Sequence, residues 1–244
     1  MQPNQNPAMK RHICILFLLV SSVICTYAQN ARIRGKVKDA ASGTPIEYAD
    51  VIVTGSDGKT TTTTLIHHFL EKEYENTDRT VYLGGNIGYP LLGRIDEVQP
   101  QDLVVLELSS FQLQTMTDFH PHVAVITNIT PNHLNWHVDM QEYIDCKKHI
   151  FSAQTEGRLV INQENDVTTT FSGAEPVMTI RFSSRTKPQP PCIFYRDEQI
   201  YFDDGSKEVT LLKRADIRLL GMHNVENYMT AIAATWGDVS MDSV

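Results

Sequence analysis

Cysteine is scarce, with four in 244 residues. Cys14 and Cys25 fall in an apolar leader, and Cys146 and Cys192 have no metal-type spacing, so neither a disulfide framework nor a cysteine zinc site is expected. Positive charge is also short. A net charge of −8 argues against a general nucleic-acid binder, which would show a basic patch or stripe. Long apolar runs are missing too: the run from Ile13 to Ile24 is too short for a comfortable membrane span. No stable membrane insertion is expected beyond this leader. The hydrophobic content of 41% is ordinary for a protein with a real core, and the length allows one large or two small domains.

Lys10-Arg11, the apolar run and Thr26-Tyr27-Ala28-Gln29 have the order of a secretory signal peptide, assigned to residues 1–29. Ile33, Gly35 and Val37 then alternate before a Ser-Gly-Thr-Pro turn and a second run ending in Val51-Ile52-Val53. Residues 30–53 therefore read as a β-hairpin. This stretch resembles the start of a carboxypeptidase-regulatory-like β-sandwich. Such a sandwich needs about seven strands, so the module is incomplete.

From Val51 to Ile66 three β-branched residues enter Gly55-Ser56-Asp57-Gly58-Lys59-Thr60-Thr61, followed by a threonine-rich helix start. Strand, glycine turn and helix amino end are the parts of a phosphate-binding loop. Gly55 and Gly58 let the backbone approach phosphate. Lys59 supplies a point charge, and Thr60 a hydroxyl for magnesium. The position of the usual first glycine is Val53, so the match is partial. A plain glycine turn is the competing reading. Val51-Ile52-Val53 can either end the hairpin or feed this loop.

Downstream, Leu65, Ile66, Phe69, Leu70 and Tyr74 share a helical face. Strand-like runs follow: a short one over Thr80–Leu83 that enters a glycine-rich turn, then Leu103–Leu106 and Val123–Thr127, the apolar kind that strands buried on both faces of a parallel sheet require. Glu107 ends the second of these runs, where open α/β sheets place ligands. The expected fold is α/β, a doubly wound and mostly parallel phosphate-loop sheet, preceded by the signal-like helix and the hairpin. The stretch from Gly157 to Leu220, with a hairpin over Cys192–Phe202, is read as an antiparallel extension. Met140, Tyr143, Ile144, Ile150 and Phe151 share one side of a helix opened by an Asp139–Glu142 capping box. Lys147 falls near the centre of that apolar side and Lys148 at its edge. A lysine so placed either snorkels or is neutralised or modified. In the last helix Val225, Tyr228, Met229, Ile232 and Trp236 form the apolar face, with Asn224 and Asn227 opposite.

Gly55-Ser-Asp-Gly-Lys-Thr-Thr61, Gly84-Gly-Asn-Ile-Gly88, Glu107-Leu-Ser-Ser-Phe-Gln-Leu113, Asn128-Ile-Thr-Pro-Asn-His133 and Gly221-Met-His-Asn-Val-Glu-Asn227 occur in that order. Together they resemble the Mur ligases of peptidoglycan synthesis, over residues 54–244. The second and third segments look most like the members that add D-glutamate to UDP-N-acetylmuramoyl-L-alanine. The resemblance implies an ATP-dependent amide-bond-forming ligase that works through an acyl phosphate, in the cytoplasm and as a monomer. It implies two magnesium sites involving Thr60, Glu107, His133 and Lys147, with Lys147 carbamylated. It implies ATP contacts from Gly55 to Thr61 and at Asn224 and Asn227, and substrate contacts at Asn86 and Ser109. Turn capping is the competing role for Asn86 and Ser109, a hydrogen-bonded structural residue for His133, and an N-cap plus a solvated polar residue for Asn224 and Asn227.

A signal peptide ahead of an ATP site is a conflict of compartments, read here as a fusion of unrelated coding segments. The resemblance also implies three domains, of which 54–244 is the central one. The chain as written is therefore expected to bind Mg-ATP weakly or not at all and not to ligate. Two other classes compete. A folylpolyglutamate synthetase-like ligase would share the loop and the lysine, but Ser109-Ser-Phe-Gln-Leu113 speaks against it. A non-enzymatic secreted module would rest on residues 1–53 alone.

Overall fold

The computed structural model describes residues 49–88, 91–116 and 118–244. The expected signal peptide and most of the hairpin lie outside the described residues. A compact unit runs from Glu47 to Val244. Its frame is one nine-stranded sheet in the order β2-β3-β1-β4-β5-β6-β7-β8-β9. The strands are β1 Ala49–Thr54, β2 Val81–Gly85, β3 Leu103–Glu107, β4 Val123–Ile126, β5 Arg158–Asn162, β6 Met178–Ser183, β7 Cys192–Arg196, β8 Gln199–Asp203 and β9 Glu208–Lys213.

Strand β1 lies between β3 and β4 and is parallel to both, with Val53 opposite Glu107 on one side and Val125 on the other. Val51–Val53 thus takes the second of the two roles open to it, feeding the loop. The chain winds outward from β1 to β2, returns through β3, and crosses to β4. That reversal opens a crevice at the carboxyl ends of β3, β1 and β4, where ligands bind in open α/β sheets.

Alternation along the strands divides the core. Val51, Val53, Val105, Val123 and Val125 face one side of the sheet. There α1 (Lys59–Glu73) buries Leu65, Ile66, Phe69 and Leu70 against it, the helical face read from the sequence. The last helix, α4 (Met222–Ala234), covers the same side with Val225, Met229 and Ile232. Ile52, Ala124, Ile126, Leu159 and Ile161 face the other side. That side is covered by the short α2 (Ser110–Leu113) and by α3 (Met140–Lys148). Helices on both faces of a mostly parallel sheet are the doubly wound fold expected.

Three details differ from expectation. The antiparallel part starts later than Gly157, because β5, β6 and β7 are parallel neighbours. Antiparallel pairing begins at β7–β8 and continues to β9. The switch occurs at Asp197-Glu198, whose φ values of 50° and 58° make the tight turn that an antiparallel hairpin needs and a parallel crossover does not. Helix α3 ends at Lys148, so Ile150 and Phe151 pack from the turn after it. Its cap is half the expected box: Asp139 accepts from the Glu142 N–H at 2.8 Å, while Glu142 turns to the Val138 N–H at 2.6 Å. The two free cysteines among the described residues, Cys146 and Cys192, are buried.

Candidate nucleotide and metal site

Strand β1 delivers Gly55 and Gly58 into a loop that ends at the amino end of α1. A side chain on Gly55 would meet Thr127 Oγ1 at 2.0 Å, and one on Gly58, at φ +77°, would meet Asn227 Oδ1 at 2.6 Å. Glycine is required at both positions because neighbouring elements close on the loop. Gly58→Ala is expected to cost about 1–2 kcal/mol of stability, since alanine in the left-handed region crowds the next carbonyl, and to push Asn227 off its partners. Thermal unfolding of the variant checks this; an unchanged midpoint would refute it.

The β4 end holds the loop from one side. Ser56 N–H donates to Asn128 O at 2.9 Å. Asp57 N–H donates to Asn128 Oδ1 at 2.9 Å, and Asn128 Nδ2 returns a bond to Asp57 O at 3.1 Å. Thr127 Oγ1 donates to Asp57 O at 2.6 Å. Ser56 Oγ donates to Thr130 O and accepts from Thr130 N–H, both at 2.9 Å. With its one proton spent, Ser56 can meet Tyr143 OH, 2.9 Å away, as acceptor. Burial pushes the Tyr143 phenol above its usual range, which keeps the donated proton in place. Thr127, Asn128, Thr130 and Tyr143 were not singled out from the sequence, because their role is tertiary. The signal available was the Asn128–His133 segment itself.

Helix α3 supplies the floor. Lys147 is 1% exposed, and its Nζ donates to Gly55 O at 2.7 Å and Thr54 Oγ1 at 3.1 Å. Burial, and next the charge of Lys59, pull its amine down to about 7. Lys148 is only half-buried, as the helical wheel requires. Lys59 Nζ donates to Ser56 O at 2.9 Å, so two ammonium groups converge on adjacent loop carbonyls.

At the end of β3, Glu107 is 2% exposed. Its Oε2 accepts from Thr60 Oγ1 at 2.8 Å and its Oε1 from Asn86 Nδ2 at 3.1 Å. Thr60 and Glu107 therefore present hard oxygen donors side by side at the helix amino end. This donor set suits magnesium, which takes a few protein oxygens and completes its shell with water and phosphate. Among the described residues no group of three or more His, Cys, Asp or Glu gathers to hold a metal. His133, exposed and at φ 54°, packs its ring edge-on against Phe111 at 5.1 Å; no hydrogen bond joins it to Glu107 among the described residues.

Ser109 takes the capping role. Its Oγ and N–H both meet Gln112 Oε1, at 2.8 and 2.9 Å, closing the first turn of α2. Asn86 holds Glu107 through its side chain and through its N–H, which donates to Glu107 O at 2.7 Å. The two asparagines of α4 require a correction. Asn227 is not on a solvated face: it is 8% exposed, because α4 packs on α1 along that side. Its Oδ1 accepts from Thr62 Oγ1 at 3.3 Å and its Nδ2 donates to Asn224 Oδ1 at 3.0 Å. Asn224 Nδ2 donates in turn to Leu220 O at 2.7 Å.

The Mur ligase middle domain family model matches residues 53–235, beginning inside β1. The chain is 47% identical over 193 residues to a UDP-N-acetylmuramoylalanine–D-glutamate ligase of Acetivibrio thermocellus, covering 79% of this chain and 40% of that protein. It is 49% identical over 193 residues, with the same coverage, to the ligase of that name from Clostridium perfringens. The chain thus spans about 40% of the length of the curated relatives it matches. Among solved structures, a UDP-N-acetylmuramoyl-L-alanyl-D-glutamate–2,6-diaminopimelate ligase aligns with a TM-score of 0.63 at 19% identity, over 80% of this chain and 45% of that one. A pseudomurein peptide ligase type C from Methanothermus fervidus aligns at 0.59 and 19%, over 81% and 48%. At such identity the two structures speak to the fold alone.

Proposed function

This chain belongs to the Mur ligase middle-domain family, and we propose that it forms the nucleotide centre of a ligase that adds D-glutamate to UDP-N-acetylmuramoyl-L-alanine in peptidoglycan synthesis. The observation that carries the reading is the convergence at the end of β1: Lys59 and Lys147 on neighbouring loop carbonyls, beside the Thr60–Glu107 pair. Phosphoryl transfer asks for neutralised phosphate charge and reactants held in line, and little else. Residues 1–29 are proposed as leader, and the ligase centre, expected from residue 54, is proposed to begin with β1 (Ala49–Thr54), which leaves the partial hairpin expected over 30–53 only the residues before that strand. Because the reaction consumes ATP, the proposed working compartment is the cytoplasm.

In the proposed reaction an oxygen of the L-alanyl carboxylate attacks the γ-phosphorus of ATP, and the bond to the β-phosphate oxygen breaks to release ADP. The amine of D-glutamate then attacks the acyl carbon. The carbon–oxygen bond to phosphate breaks, phosphate leaves, and the amine's excess proton passes to solvent. The loop cradles the β- and γ-phosphates against the amino end of α1, and Lys59 swings from Ser56 O to their charge. Thr60 and Glu107 would hold magnesium, which would supply positive charge to offset that of the phosphates. A Lys147 amine near neutrality has the free lone pair needed to take up carbon dioxide. Carbamylated, it would turn from donor to anion beside the loop, the role proposed for a second magnesium, with His133 as the further candidate ligand. Asn86 and Ser109 flank the position proposed for the activated carboxylate, and Asn224 and Asn227 the nucleotide.

The test has two arms. Calorimetric titration of the chain with Mg-ADP tests the nucleotide centre: of the two outcomes open from the sequence, weak binding supports it and no detectable binding would overturn it. ADP release from Mg-ATP on adding UDP-N-acetylmuramoyl-L-alanine and D-glutamate tests the reaction. Release that glycine or L-lysine supports as well as D-glutamate does would remove the substrate assignment.

A further inference from the structure

His137 is used by nothing described so far. Its side chain is fully buried, at 0% exposure, in a loop whose neighbours Trp136 and Val138 are 64% and 89% exposed. A loop residue turned inward this completely has a packing or positioning task.

The contacts define that task. Nε2 lies 2.8 Å from Ser110 Oγ, three residues after Glu107. The ring stacks parallel to Phe111, at 6.4 Å and 11°, while the far side of the junction is closed by Tyr143 at 5.4 Å. Tyr143 sits one helical turn before Lys147, whose Nζ lies 4.8 Å from its ring centre. The backbone N–H of His137 donates to His133 O at 3.1 Å. One imidazole therefore touches the segments that carry Glu107, His133 and Lys147, and it touches none of those three side chains by hydrogen bond.

The buried atoms also select the direction of the Ser110 bond. If Nε2–H donated to Ser110, the buried serine proton would have no acceptor, and Nδ1 would be a lone pair facing the Glu142 carboxylate at 3.9 Å. If Ser110 donates to Nε2, the proton on Nδ1 points toward that carboxylate instead. The second arrangement satisfies more groups. Nδ1 has no hydrogen-bond partner within reach, so the Ser110 bond is the ring's one polar anchor among the described residues.

We propose that His137 is a positioning residue: through Ser110, Phe111, Tyr143 and the His133 carbonyl it sets the mutual placement of Glu107, His133 and Lys147, and so the metal affinity of the site. The proposal rests on the nucleotide and magnesium reading given above. Ligands supported by a buried partner lose metal affinity when the partner is removed, even though the ligands themselves remain.

Three variants test it, and none removes a proposed ligand. His137→Phe keeps the ring and loses the acceptor, Ser110→Ala loses the donor and leaves the ring, and His137→Gln retains an acceptor. Two affinities are read: Mn2+ in the presence of ADP, by electron paramagnetic resonance, and ADP in EDTA, by calorimetry. His137→Phe and Ser110→Ala should each weaken Mn2+ by roughly five- to tenfold, and the double variant should be little worse than either. His137→Gln should recover part of the loss, and ADP in EDTA should bind as in the wild type in every variant. Wild-type Mn2+ affinity in His137→Phe would overturn the proposal, as would equal losses in both affinities, the mark of a merely structural residue. A wild-type chain that binds no ADP in either condition would overturn the nucleotide reading itself, and this proposal with it.

Discussion

At pH 6.5, in buffer free of bicarbonate, Lys147→Met should raise the free energy of unfolding by about 3 kcal/mol, an effect that should fall toward zero near pH 9.5. The amine is pulled from 10.5 to about 7 by burial and by Lys59. Below about 7 it is charged in both folded and unfolded chains, so the desolvation cost weighs in full on the fold. Between about 7 and 10.5 the folded chain has shed a proton that the unfolded chain keeps, and stability climbs with pH. Above 10.5 the amine is neutral in both states. A shift of that size corresponds to about 4–5 kcal/mol, from which the lost bonds to Gly55 O and Thr54 Oγ1 subtract about 1–2 kcal/mol. Urea unfolding of both proteins at the two pH values checks the prediction. A variant less stable than the wild type at pH 6.5 would mean that Lys147 does not carry a buried charge. Adding bicarbonate offers a second reading. If the wild type carbamylates, its stability should rise with bicarbonate while that of the variant stays fixed.

Glu107→Gln should weaken magnesium at the loop by roughly 100-fold or more, since even outer-shell losses reach that range. The substitution keeps the size of the side chain and removes its charge. Thr60 and Asn86 both donate to the carboxylate, and an amide offers one acceptor where two are used. The stability cost is about one hydrogen bond, on the order of 1 kcal/mol. Titrating Mg2+ into the ADP-bound chain by calorimetry reads the affinity. Unchanged magnesium dependence would remove Glu107 from the metal site.

Much of the arrangement was legible because it follows from local pattern. The unbroken runs at Leu103–Leu106 and Val123–Ile126 have the pattern of central parallel strands, and their carboxyl ends place the crevice. The apolar side of α3 singled out Lys147 before any contact was known. Strand β1 was ambiguous because Val51-Ile52-Val53 fits a hairpin and a buried strand equally well. Pairing on both sides, to β3 and β4, makes it a buried strand, and no local signal reports that. The same holds for side chains that act at a distance in sequence. Asn227 reads as a polar residue on a helix, yet it packs against Thr62 and Gly58. His137 carries no local signal, and its partner Ser110 lies inside the Ser109–Leu113 motif, where sequence alone does not separate the roles of the two serines. In strand β6, Ile180 and Phe182 alternate with Thr179 and Arg181, a pattern that flanking turns and prolines hide in the sequence.

The position of β1 has a further consequence, for the order in which the molecule opens. Amide exchange in a native protein proceeds in tiers, from fraying edges to cooperative units that open only when the whole chain does. A strand insulated by parallel neighbours on both sides belongs to the last tier, while the β8–β9 hairpin at the sheet's edge belongs to an earlier one. The phosphate loop springs directly from that insulated strand and is tied to the β4 end by Thr127, Asn128 and Thr130. A ligand held by the loop should therefore slow exchange in β1 as well as in the loop, through the shift of the global equilibrium that binding to the folded state alone produces.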